Sequence, residues 1–221
     1  MTHTPEVDAD NGAYREREIE PARTALLSID MQNAECGADL RAAPPPSKAD
    51  YFKRLDDVVI PNQRRLMTAA RQAGIEVVFT TIESLTLDGR DRSLDHKISR
   101  LHCPRGSWEA QVIDELAPLE NEIRIPKTAS GIFNCTNIEY VLRNLGIEYL
   151  IVVGVVTDQC VESAVRDAAD RGFLVTQVED CCATYDADNH ARSIAAMRGH
   201  YCRTRTTAEM IAEIERLGGA T

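Results

Sequence analysis

Short, dense apolar runs alternate along the chain with longer amphipathic ones. Residues 24–31 (TALLSIDM) form a compact run rich in Leu and Ile, bounded by Pro21 and a polar loop, and residues 75–82 (IEVVFTTI), 122–126 (EIRIP), 149–153 (YLIVV) and 173–178 (FLVTQV) share its character. Runs that are largely apolar on successive positions predict strands covered on both faces, as in a parallel sheet. A short sixth strand is expected at 202–204. Residues 50–73 instead carry Leu55, Val58, Val59, Leu66, Ala69 and Ala70 close to helical spacing, with Gly74 as a stop and Pro61 as a kink or restart. Further helices are predicted over 108–116, 134–145, 160–171, 187–198 and 207–217. Gly37 and the triplet Pro44, Pro45, Pro46 make residues 34–47 an irregular loop. Residues 84–107 form a long polar connection of the kind that often carries function. Strands alternating with helices imply right-handed crossovers and an α/β fold, a three-layer α/β/α sandwich around a central, mostly parallel sheet.

Composition narrows this picture. A chain of 221 residues, 43% hydrophobic, supports one well-buried core rather than two, so a single domain is expected over residues 21–221. Residues 1–20 are polar and acidic with little periodicity, which predicts an N-terminal arm, free to order against a neighbouring subunit. The net charge of -10, without a basic cluster, argues against a nucleic-acid partner and for a small-molecule one. No apolar stretch approaches the roughly 18 residues of a membrane span, and the N-terminus lacks the apolar core of a signal peptide, so a cytoplasmic protein is expected. Seven cysteines without a CxxC pair then predict reduced thiols.

In an open parallel sheet, ligands collect outside the carboxyl ends of the strands. Three reactive side chains fall there: Asp30 after the first strand, Lys127 after the third and Cys160 after the fourth. Each is weak alone. A carboxylate can cap a loop, a lysine can be solvated, and a free cysteine is often a small buried hydrophobe. Cys160 differs in opening a helix, where unpaired N–H groups and the positive end of the dipole are expected to lower the thiol pKa. Together the three fit nucleophilic catalysis, with Asp30 taking the thiol proton, Lys127 holding the carboxylate and the turn amides stabilising an oxyanion.

The segments LLSIDMQN, PKTASGIFNCT and GVVTDQCVESAVRDA, in this order and at this separation, resemble the three signature blocks of the isochorismatase-like cysteine hydrolases. The resemblance runs from about Thr24 to about Thr207. It implies a Rossmann-like fold, an Asp30, Lys127, Cys160 triad, a homo-oligomer (dimer or tetramer), and a cis peptide between Val155 and Val156 that lets the amides of Val156 and Cys160 form the oxyanion hole. The nicotinamidase branch of that family carries Asp-x-His after the second strand for a metal ion. Here Thr81, Ile82, Glu83 and Ser84 stand at that point, so no metal and no cofactor are expected. Isochorismatases that cleave a vinyl ether commonly lack the nucleophilic cysteine, which Cys160 argues against.

The branch most resembled contains the ureido and carbamoyl amidohydrolases acting on biuret, triuret, ureidoacrylate or N-carbamoylsarcosine, on the strength of DGRDRSLDHKIS, GSWEAQV and VVTDQCVESAVRDAADRG. The rivals are an amidase of the same fold on another carboxamide or N-formyl substrate, and a non-catalytic binding domain, which would expect a damaged triad. A planar polar substrate needs several hydrogen-bond partners. Asn33, Glu83, Arg90, Phe133 and Asn134 lie on the loops expected to form the pocket, with Tyr185 or Tyr201 as lid residues. Cys36, Cys103, Cys135, Cys181, Cys182 and Cys202 read as structural, and Trp108 as a packing anchor.

Overall fold

The computed structural model describes residues 11–218. Six strands, β1 (Thr24–Ile29), β2 (Glu76–Ile82), β3 (Ile123–Lys127), β4 (Tyr149–Val155), β5 (Leu174–Ala183) and β6 (Arg203–Arg205), form one sheet in the order β3-β2-β1-β4-β5-β6. Every neighbouring pair is parallel. Successive residues of a strand point to opposite faces. Thus Leu26, Ile151, Val153, Val77 and Phe79 enter one apolar cluster, while Ala25, Leu27, Leu150, Val152 and Val78 enter the other. Burial on both faces is why these strands lack polar alternation. The first cluster is covered by the helices Ile60–Gln72 and Thr207–Gly218, the second by Ile138–Asn144 and Glu162–Asp170. The result is the expected three-layer sandwich. No helix among the described residues is long and apolar enough to cross a membrane.

Strand order positions the site. The chain lays β2 and β3 on one side of β1 and then returns to place β4 on its other side. Connections on either side of that reversal diverge, which opens a crevice at the carboxyl ends of β1 and β4. Gly154 brings these two strands close. It pairs with Ile29 and adopts φ +125°, and a Cβ there would lie 2.1 Å from the Ile29 carbonyl oxygen.

Several element boundaries differ from expectation. Residues 34–47 are not irregular throughout: Asn33–Cys36 and Ala38–Ala42 are short helices and Pro46–Lys48 a 3-10 turn. Pro61 causes no break: the helix runs on from Ala49–Arg54 through Leu55–Val59, a widened π-helical turn that makes room for the proline ring and its missing N–H, into Ile60–Gln72. The helix expected over 108–116 is two 3-10 turns, Trp108–Ala110 and Asp114–Leu116, and that over 134–145 divides into Ile132–Cys135 and Ile138–Asn144. The long loop contains a helix, Leu94–Ile98. β5 runs to Ala183, five residues beyond expectation.

The described part of the expected N-terminal arm packs on this chain. Residues 1–10 lie outside the described residues. Asn11–Arg15 are helical, and residues 16–20 dock on this chain's own body. Ile19 is buried and its N–H donates to Glu213 Oε1 at 2.9 Å, Arg205 pairs with Glu16 at 2.7 Å, and the Tyr149 hydroxyl donates to Glu20 at 3.0 Å. Glu16 and Glu18, two of the acidic residues that made the segment look solvated, pair with Arg205 and Arg216 of the C-terminal region.

Candidate active site

The three residues singled out at strand ends meet. Lys127 Nζ lies 2.9 Å from Asp30 Oδ2 and donates to Cys160 Sγ at 3.3 Å and to the Ala129 carbonyl at 3.1 Å. To do so it reaches from the end of β3 past β2. All three side chains are buried. Asp30 Oδ2 takes no aligned hydrogen bond among the described residues, so the Lys127 ion pair is what compensates it. Thr80 Oγ1 donates to the other oxygen at 3.4 Å. Asp30 has φ 54°, in the left-handed region where Asp is among the more tolerant residues. Its N–H still bonds to the Thr80 carbonyl, so the strand ends there while the residue stays anchored.

Cys160 is not the first residue of a regular α-helix. It lies inside a π-helical turn, Thr157–Val161, from which the helix Glu162–Asp170 continues. The peptide between Val155 and Val156 is cis. The turn is held from outside: Thr184 donates to Asp158 at 2.6 Å, Ser193 Oγ to the Thr157 carbonyl at 3.3 Å, and Thr157 Oγ1 meets His190 Nδ1 at 2.8 Å. Arg54 approaches His190 Nε2 at 3.3 Å. A guanidinium only donates, so Nε2 accepts and Nδ1 carries the proton toward Thr157.

The thiol differs from expectation in one respect. Burial, and then the neighbouring Asp30 carboxylate, push its pKa up to about 12, against the pull of Lys127. Enclosure outweighs the helix end, and the resting group is the thiol. Burial also works against the Lys127 ammonium, but Asp30 and Cys160 more than offset it, and its pKa is raised. The site thus pairs a protonated sulfur with an adjacent carboxylate that can accept its proton and a fixed cation that stays charged.

These groups open onto a cavity of ≈340 Å³ lined by Asp30, Val155, Val156 and Cys160 on one side. Glu35, Lys48 and Tyr185 form another wall, and His96, Ser99, Arg100 and Leu101 from the long loop a third. His96 is buried with Nδ1 unpartnered, and burial, then the charge of Lys127, lower its pKa, so the ring is neutral. Among the described residues no group of three or more His, Cys, Asp or Glu side chains is arranged to hold a metal ion.

Of the seven residues expected to contact substrate, Tyr185 lines the cavity and six do not. Asn33 is turned to the Trp108 carbonyl, to which its side chain donates at 2.9 Å. Glu83 accepts from the Gly106 amide, Arg90 pairs with Asp88 on the exposed loop, and Phe133 packs on Phe173. Asn134 is exposed, and Tyr201 meets His200 edge to face beneath Arg166. Trp108 is 50% exposed rather than a buried anchor. Several wall residues had local signals: Gln159 and Ser130 lie within three positions of the reactive residues, and His96 and Arg100 sit in the loop marked by its length. Glu35 comes from the segment read as irregular, residues 34–47, and Lys48 directly follows it.

The Isochorismatase domain model matches residues 24–210. The ureidoacrylate amidohydrolase RutB of Rhizobium rhizogenes is 31% identical over 188 residues, covering 73% of this chain and 71% of that protein. The RutB protein of Pantoea ananatis is 32% identical over 193 residues, 76% and 71% of the two chains. Among solved structures, a cysteine hydrolase from Pseudomonas syringae superposes with a TM-score of 0.79 at 27% identity, covering 91% of this chain and 96% of that one. The N-carbamoylsarcosine amidase of Thermoplasma acidophilum shares the fold, with a TM-score of 0.67 at 24% identity over 84% and 96% of the chains. With the family model spanning all six strands of the sheet and the whole Asp30, Lys127, Cys160 cluster, the chain belongs to the isochorismatase family.

Proposed function

We propose that this protein is a cysteine amidohydrolase that cleaves the C–N bond of a small linear ureide or carbamoyl amide of the biuret, triuret or ureidoacrylate type. The observation that carries the reading is the contact of Lys127 with both Asp30 and Cys160 at the floor of a polar cavity. Relatives named ureidoacrylate amidohydrolase at 31% identity support the substrate class.

In this mechanism Asp30 accepts the Sγ proton of Cys160 as the sulfur attacks the carbonyl carbon. The amides of Val156 and Cys160 stabilise the oxyanion of the tetrahedral intermediate. The C–N bond breaks, and Asp30 returns the proton to the leaving nitrogen, which departs as ammonia or an amine. A thioester-like acyl or carbamoyl group remains on Cys160. Water gives a proton to Asp30 and attacks this group, and the sulfur leaves to be reprotonated. Lys127 stays cationic throughout and keeps Asp30 oriented. A resting thiol suits this scheme, because the nucleophile forms only when a carbonyl is in place.

Lys48 and Arg100 line the cavity without an ion pair to a carboxylate among the described residues, which favours a substrate carrying its own carboxylate, such as ureidoacrylate, over neutral biuret and triuret. An ammonia-release panel of ureidoacrylate, biuret, triuret and nicotinamide tests the reading. Turnover confined to the ureides is expected, and turnover of nicotinamide alone would overturn it.

A further inference from the structure

Glu35 is the one carboxylate of the cavity that is neither in the Asp30 cluster nor on the exposed loop. It belongs to the short helix Asn33–Cys36 that follows Asp30. Two tyrosines hold it. The Tyr185 hydroxyl donates to Oε2 at 2.6 Å, and the Tyr51 hydroxyl donates to the Glu35 main-chain carbonyl at 3.3 Å. The tyrosine rings pack edge-on at 4.9 Å, and Lys48 Nζ sits 3.9 Å over the Tyr185 ring. The second carboxylate oxygen, Oε1, takes no hydrogen bond among the described residues and belongs to a side chain that lines the cavity. Burial raises the Glu35 pKa, against the pull of Tyr185 and Lys48, so this carboxylate is short of partners.

A ureide differs from a simple carboxamide by bearing a nitrogen on both sides of its carbonyl. Once the carbonyl oxygen faces the turn amides, the N–H beyond the scissile bond needs an acceptor. Asp30 is engaged by Lys127 and the thiol proton, and Asp95 is exposed on the Leu94–Ile98 helix. We propose that Glu35 is the specificity-determining residue of this site, accepting a hydrogen bond through Oε1 from the ureide N–H remote from the scissile bond, with Tyr185 and Tyr51 as its positioning residues. This rests on the amidohydrolase reading above. It restricts the substrates to ureides and carbamoyl amides that keep that N–H.

The test uses whichever ureide is turned over and its carba-analogue, in which the remote N–H is CH₂; for biuret this is malonamide. For wild type, Glu35→Gln and Tyr185→Phe, kcat/KM is measured on the ureide and the inhibition constant on the analogue. Glu35→Gln is expected to lower kcat/KM on the ureide about 10- to 100-fold, the range of a hydrogen bond to a charged group, and to leave analogue binding within about 3-fold. Tyr185→Phe is expected to change ureide turnover in the same direction and less, and it carries the test should Glu35→Gln not fold. Equal losses on both compounds, or no loss on the ureide, would overturn the assignment. Wild-type protein inactive on every ureide would instead remove the amidohydrolase reading itself.

Discussion

Lys127 and Asp30 form a 2.9 Å ion pair whose side chains are 0% and 2% exposed, although their strands are separated by β2. Removing one member of such a pair leaves the other charge buried and uncompensated, at a cost of about 3–5 kcal/mol. Lys127→Met is therefore expected to lose about that much stability in urea titrations as well as activity. Asp30→Asn combined with Lys127→Met is expected to cost less than the sum of the two single changes, because neither charge is then stranded. Additive losses would mean that the two charges do not depend on each other.

Gly154 carries a second prediction. A Cβ would meet the Ile29 carbonyl at 2.1 Å and its nitrogen at 2.7 Å, both backbone atoms that cannot swing aside. Gly154→Ala is expected to cost about 3 kcal/mol or more, or to leave the protein insoluble, whereas the same change at Gly74, whose Cβ meets nothing within 4 Å, pays only for its φ of +71°. Chemical denaturation of the two variants compares them directly.

How far these features can be read from the sequence follows from where they come from. Strands such as residues 149–153 are legible because burial on both faces leaves no polar position. Asp30 and Lys127 are legible because each stands where an apolar run ends, and Cys160 because it lies on the turn between such a run and an amphipathic helix. The order of the strands is set by packing between segments far apart in sequence, and no local pattern records it. The wall formed by Glu35, Lys48 and Tyr185 is illegible for a related reason: these residues come from a one-turn helix, a 3-10 turn and the loop after β5. Asn33 and Glu83 lie beside the right strands, yet their side chains serve neighbouring loops. The thiol pKa is not legible in the sequence, because the helix-end effect is local whereas burial is a property of the assembled fold.

Alkaline pH is expected to destabilise the protein through its buried thiols. Burial pushes Cys160, Cys103, Cys182 and Cys202 each to about 12, above the ordinary thiol value of 9.0. Between those limits the unfolded chain loses protons that the native state retains, so stability falls as pH rises from about 9 toward 12. Melting temperatures across this range are expected to drop less for Cys182→Ala, measured against its own value at pH 8, than for wild type.

Acid is expected to act through His190. Burial, and then the charge of Arg54, lower its pKa to about 4 from an ordinary 6.5. A base with a depressed native pKa contributes stability above about 6.5 that is lost as pH falls toward 4. Because His190 contacts Thr157 of the nucleophile turn and stays neutral in the folded protein until pH nears 4, activity is expected to decline only as pH approaches that value. In His190→Gln the stability of the protein is expected to depend less steeply on pH between 6.5 and 4. Superimposable profiles would rule out this histidine as the titrating group.

Cys160 is expected to form a covalent bond to the substrate carbonyl carbon during turnover. Intact-mass spectrometry of the protein quenched during turnover of a slow ureide tests it most directly. An added mass equal to the acyl or carbamoyl fragment, localised to Cys160, is expected. Cys160→Ala is expected to keep its melting temperature, show no adduct and lose more than about 10³-fold in turnover. An adduct that persists in Cys160→Ala, or a variant that turns over at the wild-type rate, would contradict this role of Cys160.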